Sequence, residues 1–306
     1  MRALFPWHKL PPDDLLTIRD GKSGEAEVQT YLSEGKWGKF LLLRGDLISQ
    51  YVSMYGEWAE TEVDLFKTLL PRDGICIEVG TNMGTLAVPI SRICEEGAVY
   101  CFEPQRPIFH ILCANIALNN RLNVFARNEA VGETDELISI ETGSYDATWN
   151  YGAFSLGRGF SNELSFTGPV QRETVRMVQL DRDLQIAALS RIDLLKIDVE
   201  GFEPAVLRGA RELITRHRPY IFVEANTRAG FDDCMLELGG HGYTGHWYIA
   251  GRYRQDNFAR SPFGIAGWDT NLIFHHASRP PLQGNLPKAS SFDDLATGLT
   301  VLTQFP

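Results

Sequence analysis

The chain has 306 residues, 44% of them apolar, and a formal net charge of -10. That length can bury a doubly wound core with a modest accessory region, so one elaborated domain is expected. The acidic balance, with Lys and Arg scattered, offers no basic field to hold a phosphate backbone and excludes nucleic acid as an expected partner. The five cysteines, Cys76, Cys94, Cys101, Cys113 and Cys234, form no C-x-x-C pair and mostly sit in apolar runs, which fits a reducing cytoplasm. No apolar run reaches membrane-spanning length and residues 1–16 lack the core of a signal peptide, so no membrane association is expected.

Residues 1–59 are expected to form an N-terminal cap, with 36–43 and 46–54 as short strands or a hairpin, followed by an amphipathic helix over 60–70. The sheet proper begins with the apolar stretch Ile75–Val79, followed by a glycine turn and a helical segment to Ile93 in which Pro89 predicts a kink or a lost hydrogen bond. A second strand over Ala98–Phe102 ends in Glu103-Pro104. A helix over 107–119 and a third strand over 123–126 follow. Alternating β and α segments imply a parallel sheet covered on both faces.

Residues 133–180 are polar, aromatic and glycine-rich, too long for an ordinary connection, and are expected to be an insertion over the active site. A fourth strand over 192–199 leads into a helix with Pro204 in its first turn, one apolar face and Pro219 beyond its end. A fifth strand over Tyr220–Glu224, a helix around 232–238 and late edge strands over 246–249 and 271–274 complete the main domain, 60–277. The tail, 278–306, is rich in Pro, Gly and Ser and is expected to be poorly ordered.

The loop Glu78-Val79-Gly80-Thr81-Asn82-Met83-Gly84 follows the first strand. Gly80 and Gly84 let backbone turn sharply and a ligand approach without a Cβ in the way. The spacing is G-x-N-x-G. A dinucleotide site would carry G-x-G-x-x-G to cradle a pyrophosphate. An acidic strand end and a side-chain amide suit a cationic, zwitterionic ligand without phosphate, such as S-adenosylmethionine. Glu103, at the end of the next strand, is placed to accept hydrogen bonds from ribose hydroxyls.

At this point the sequence resembles the FkbM-type S-adenosylmethionine-dependent methyltransferases. The likeness is carried by GICIEVGTNMGTLAVPISR (74–92), VYCFEPQRPIFHILCANIALNNRLNV (99–124), IDLLKIDVEGFEPAVLRGA (192–210) and RPYIFVEAN (218–226), and it spans most of residues 36–275. The third stretch, K-I-D-V-E-G-x-E with V-L-x-G-A, is the most specific. The resemblance implies an α/β, Rossmann-like class I methyltransferase fold: a mostly parallel seven-stranded sheet with helices on both faces and a small N-terminal cap. It implies S-adenosyl-L-methionine as cofactor, with Glu78, Gly80, Asn82 and Gly84 around its methionine part, Glu103 on the ribose with Pro104 beside it, and the loop 128–131, including Asn128 and Ala130, near the adenine. Thr81 stands where the family often has alanine. The family acts mostly on hydroxyl groups of sugars, polyketides and other natural products, so a small hydroxylated acceptor in secondary metabolism or glycan tailoring is implied.

Methyl transfer to a hydroxyl needs in-line positioning and a general base. Asp198 is the first choice of base and also a cofactor-site candidate, because it ends the fourth strand, where open α/β sheets place their ligand crevice. Glu200, Glu224 and His246 are the reserves. A Lys196–carboxylate pair closing the strand end is the competing structural reading of Asp198 and Glu200. Asp198, Glu200 and Glu224 could also share a divalent metal, but nothing in their spacing requires one and no metal is expected. Trp149, Asn150, Tyr151, Trp247 and Trp268 are candidates to line an acceptor pocket or simply to pack. A non-catalytic S-adenosylmethionine-binding protein and an NAD-dependent oxidoreductase are the alternative functions. The oligomeric state stays open, with a homodimer one option.

Overall fold

A computed structural model describes residues 29–143, 145, 147, 149–160, 166–265, 267–297 and 302. The cap opens with an antiparallel hairpin, β1 (Thr30–Gly35) and β2 (Gly38–Leu43); residues 1–28 of the expected cap lie outside the described residues. Residues 46–54, expected to be extended, instead belong to helix α1 (Leu47–Tyr55). Asp46 caps it by accepting from Ser49 N at 2.8 Å. Its buried residues Ile48, Tyr51, Val52 and Tyr55 recur at helical spacing, and Gly56 ends it in the left-handed region.

The cap leads through α2 (Glu60–Leu69) into a seven-stranded sheet of order β11-β12-β10-β9-β3-β4-β5. Its strands are β3 (Ile75–Val79), β4 (Ala98–Phe102), β5 (Val124–Arg127), β9 (Leu194–Ile197), β10 (Tyr220–Glu224), β11 (Tyr243–Gly251) and β12 (Trp268–His276). The first five are parallel, and β12 and β11 complete the sheet antiparallel. Both late strands run longer than expected, and only β11 is an edge, since β12 sits between it and β10. The chain builds outward from β3 through β4 to β5, then returns to place β9 on the other side of β3. The topological switch point therefore lies between the carboxyl ends of β3 and β9, where such sheets open a ligand crevice.

Helices α2, α3 (Ala87–Ile93) and α4 (Arg106–Leu118) cover one face, burying Phe66, Ile90 and Leu112 against Cys76, Cys101 and Phe222. Pro89 falls within the first turn of α3, where an amide has no intrahelical partner to lose, so the helix accommodates it. The short α5 (Leu184–Ala187) precedes β9. On the other face lie α6 (Glu203–Arg208), α7 (Arg211–His217) and α8 (Arg228–Gly239), with Val206, Ile214 and Phe231 packed on Ile77, Leu195 and Ile221. The single helix expected after Pro204 is broken at Gly209. A Cβ there would lie 1.9 Å from the Gly132 carbonyl oxygen, so backbone passes too closely for a side chain.

The insertion is not an irregular loop throughout. Strands β7 (Glu136–Gly143) and β8 (Val170–Val178) pair antiparallel, and β6 (Glu129–Val131) joins β8 to make a separate three-stranded sheet. Trp149, Tyr151, Phe154 and Phe160 from the insertion share a third core with Phe40, Ile48 and Val52 of the cap. The tail, expected to be loose, packs where it is described. Leu286 and Ala289 are buried, and hydrogen bonds from Trp247 N to Pro287 O and from Ala289 N to Gly245 O tie it to β11. No described helix is long and apolar enough to cross a membrane.

Candidate active site

The loop after β3 is held by its neighbours on both sides. Gly80 N and Thr81 N donate to Phe102 O at the end of β4. Gly80 has φ 80°, and a Cβ on it would lie 1.8 Å from Asp198 O. The glycine thus lets the loop press against the end of β9. Asn82 adopts φ 52°, a left-handed conformation that asparagine tolerates better than most residues. From there its backbone N–H donates to Glu103 Oε2 at 2.9 Å.

Glu103 also accepts from Gln105 N at 2.9 Å through Oε1, so one carboxyl pins the loop to the start of α4. Burial pushes Glu103 up to about 7, against the hydrogen bonds from Gln105 and Asn82 that favour its charged form. Glu78 is fully buried. Its carboxyl is also pushed up to about 7, chiefly by desolvation and partly relieved by Lys196.

Two clefts meet here. The first, of about 460 Å³, has apolar walls from Val79, Phe102, Pro104, Ala130, Val131, Phe154 and Leu156, with Glu103 and Glu129 among its polar lining. Asn128 does not line it. Its side-chain amide donates to the Glu103 and Pro104 carbonyls and braces the turn below. Gly84 lines neither cleft; a Cβ there would meet Leu112 Cδ1 at 2.6 Å, so its role is the close packing of α4.

The second cleft, of about 710 Å³, is lined by Glu78, Thr81, Asn150, Lys196, Asp198, Glu200, Glu224 and the residues described next. Asp198, Gly80, Asn82 and Gly152 belong to both clefts, which places Asp198 at their junction. Its carboxylate side chain is 43% exposed and accepts from Lys196 Nζ at 3.2 Å. The nearest oxygens of Asp198, Glu200 and Glu224 lie within 4.8 Å of one another. Glu224 is raised well above the ordinary carboxylate range, by burial first and then by its acidic neighbours. Glu200 sits at φ 55°, a strained conformation of the kind that collects at functional sites.

Sequence reasoning missed Glu62, Arg252, Asp269 and Asn271, which line the second cleft with Trp58. Glu62, on α2, is 5% exposed and accepts from Asn271 Nδ2 at 3.0 Å. Burial, then Asp269, pushes it up to about 8. Arg252 pairs with Asp269 at 2.6 Å and lies over the Trp58 ring. The one signal available was Asn271, a polar residue opening the apolar run Asn-Leu-Ile-Phe.

His246 stands apart from the acids of the two clefts. It lies on the edge strand β11, lines neither cleft, and its Nδ1 bonds the Leu286 carbonyl of the tail. Trp149 and Tyr151 are buried in the third core, and Trp247 stacks on Phe231 at 5.0 Å, so these rings pack rather than face an acceptor. Trp268 is 53% exposed and lines neither cleft. Of the five candidates, only Asn150 reaches the second cleft.

A mostly parallel α/β sheet with carboxyls at the ends of adjacent strands and clefts at its switch point is a Rossmann-like fold. The chain matches the methyltransferase FkbM domain over residues 78–248 and belongs to that family. It is 26% identical over 159 residues to the 2-O-methyltransferase NoeI of Sinorhizobium fredii, covering 50% of this chain and 63% of that protein. It is also 26% identical over 149 residues to Methyltransferase 1 of Beauveria bassiana, covering 45% and 59%. The chain thus spans less than two thirds of either relative. Among solved structures, a methyltransferase FkbM from Methylobacillus flagellatus aligns with TM-score 0.42 and 16% identity, over 69% of this chain and 48% of that one.

Proposed function

We propose that the protein transfers the methyl group of S-adenosylmethionine to a hydroxyl of a small acceptor. The observation that carries this reading is the junction position of Asp198, between an apolar cleft with a carboxyl at its rim and a polar cleft lined by acids. The residues present fit the donor: Glu78 Oε1 is buried without a hydrogen-bond partner and suits a cationic group. The cleft beside Glu103 offers apolar walls to a base and a carboxyl to ribose hydroxyls. Glu78, Gly80, Thr81 and Asn82 would hold the methionine part, and Glu103 with Pro104 and Ala130 the adenosine.

Bound there, S-adenosylmethionine supplies an electrophilic methyl group. Asp198 accepts the proton of the acceptor hydroxyl, and Lys196 keeps that carboxylate oriented. The acceptor shares the second cleft with the methionine part, with Glu62, Asn271 and Arg252 as further walls. Leu47, Ile48 and Trp58 of the cap wall the second cleft and limit the access of water to the acceptor. The choice of oxygen as the acceptor atom draws support from the relative named as a 2-O-methyltransferase. A reducing cytoplasm suits the five free cysteines.

Calorimetric titration with S-adenosylmethionine, S-adenosylhomocysteine and NAD tests the reading. Micromolar binding of the first two, weakened at least about tenfold by Glu103→Ala, is expected. Binding of NAD with neither sulfur ligand would overturn it.

A further inference from the structure

Lys196 lies 2% exposed in the middle of the sheet. Its lateral neighbour on β3 is Glu78, and Asp198 follows two residues later, so all three share one side of the sheet. The ammonium is 3.2 Å from Asp198 Oδ2 and 3.7 Å from Glu78 Oε1. Glu62, on the helix above, is the third carboxyl that acts on it. Burial acts to lower the affinity of this lysine for its proton, and the three carboxyls together more than offset it.

One ammonium does not satisfy both strand-end carboxyls. It hydrogen-bonds Asp198 and leaves Glu78 Oε1 with a long ion pair and no hydrogen bond. A buried carboxylate in that condition is costly until a second cation arrives. We infer that Lys196 is a positioning residue whose single positive charge is divided between Glu78 and Asp198, so that a cation at Glu78 commits Lys196 to holding Asp198 for the acceptor. This rests on Glu78 being the donor-side carboxyl. Two consequences follow from electrostatics alone. Lys196 disfavours the positively charged donor relative to its neutral demethylated product, and Asp198 moderates that effect by drawing the ammonium away.

The test compares the affinities of S-adenosylmethionine and S-adenosylhomocysteine, by calorimetry, for the wild type, Lys196→Met and Asp198→Asn. The two ligands differ in the sulfonium charge and its methyl, so a merely structural loss moves both alike. The ratio favouring S-adenosylmethionine should rise about three- to tenfold in Lys196→Met and fall by a similar factor in Asp198→Asn. A ratio unchanged or moved the opposite way in either folded variant, with wild-type binding intact, overturns the inference and leaves the donor assignment standing. If Lys196→Met does not fold, Asp198→Asn decides, since it is isosteric at a half-exposed side chain. Failure of the wild type to bind either ligand overturns the donor assignment and this inference with it.

Discussion

Glu78 and Glu103 are the residues at which pH should act on donor binding. Burial holds both near 7, and a cation at Glu78 and hydroxyl donors at Glu103 favour their ionised forms. Donor affinity is therefore expected to increase from pH 6 to pH 8, by up to about tenfold per unit below the pKa for each group, with protons released on binding. Calorimetry in buffers of different ionisation heat measures both, and an affinity that falls with pH would contradict the assignment. Gly80 gives a second test at this scale. Gly80→Ala drives a methyl into Asp198 O at a positive φ and should cost more than about 2 kcal/mol in denaturant unfolding. Glu78, Glu103 and Asp198 were legible in the sequence because each ends a strand whose limits are set by apolar pattern and turn. Glu62, Arg252 and Asp269 were not, because α2, the residue after β11 and the start of β12 deliver them from afar, and nothing local separates Glu62 from its neighbours Glu60 and Asp64.

Among elements, α1 shows how one capping side chain can tie two parts of the molecule together. Buried Asp46 accepts from Ser49 N at the start of the helix and from Tyr151 N in the insertion. Asp46→Ala should therefore cost about 1–3 kcal/mol, more than an exposed cap, because it also strips a partner from a buried amide. Thermal unfolding reads this directly; a loss below about 0.5 kcal/mol would mean the link between cap and insertion is incidental. The sequence of the same helix points to extended backbone instead. Its run Leu-Ile-Ser-Gln-Tyr-Val-Ser-Met-Tyr mixes β-branched and aromatic residues with hydroxyls, and its cap signal, Asp46, also suits a turn. The strands β3, β4 and β10 were legible to the residue because they are short apolar runs bounded by glycine, proline or acid. The break between α6 and α7 at Gly209 was not, because the helical spacing of Val206, Ala210, Leu213 and Ile214 runs on across it.

At the scale of the whole molecule, the acids around the clefts should shape stability. Glu62, Glu78 and Glu103 are raised from an ordinary 4.5 to about 8, 7 and 7. Over that window the folded chain binds more protons than the unfolded one. Their contribution is complete below the unfolded value and is lost as pH rises through the folded ones. The ligand-free protein should melt at a lower temperature at pH 8 than at pH 5.5, and donor should reduce the difference; a Tm that rises over this interval would contradict the burial of these acids. The parallel order and its two covered faces were legible from the alternation of β and α segments. The third core was not, since cap and insertion are far apart in sequence and meet against Val88 of α3 and Ile108 and Ile111 of α4.

Methyl transfer itself is the direct test. Wild-type protein given S-adenosylmethionine with a labelled methyl group and a panel of hydroxylated sugars and polyketide-type alcohols should place label on an acceptor oxygen. Asp198→Asn should slow that transfer about 10²- to 10⁴-fold. Label on no hydroxyl by a protein that binds the donor, or an Asp198→Asn rate equal to that of the wild type, would contradict the assignment of Asp198 as the base of an O-methyltransferase.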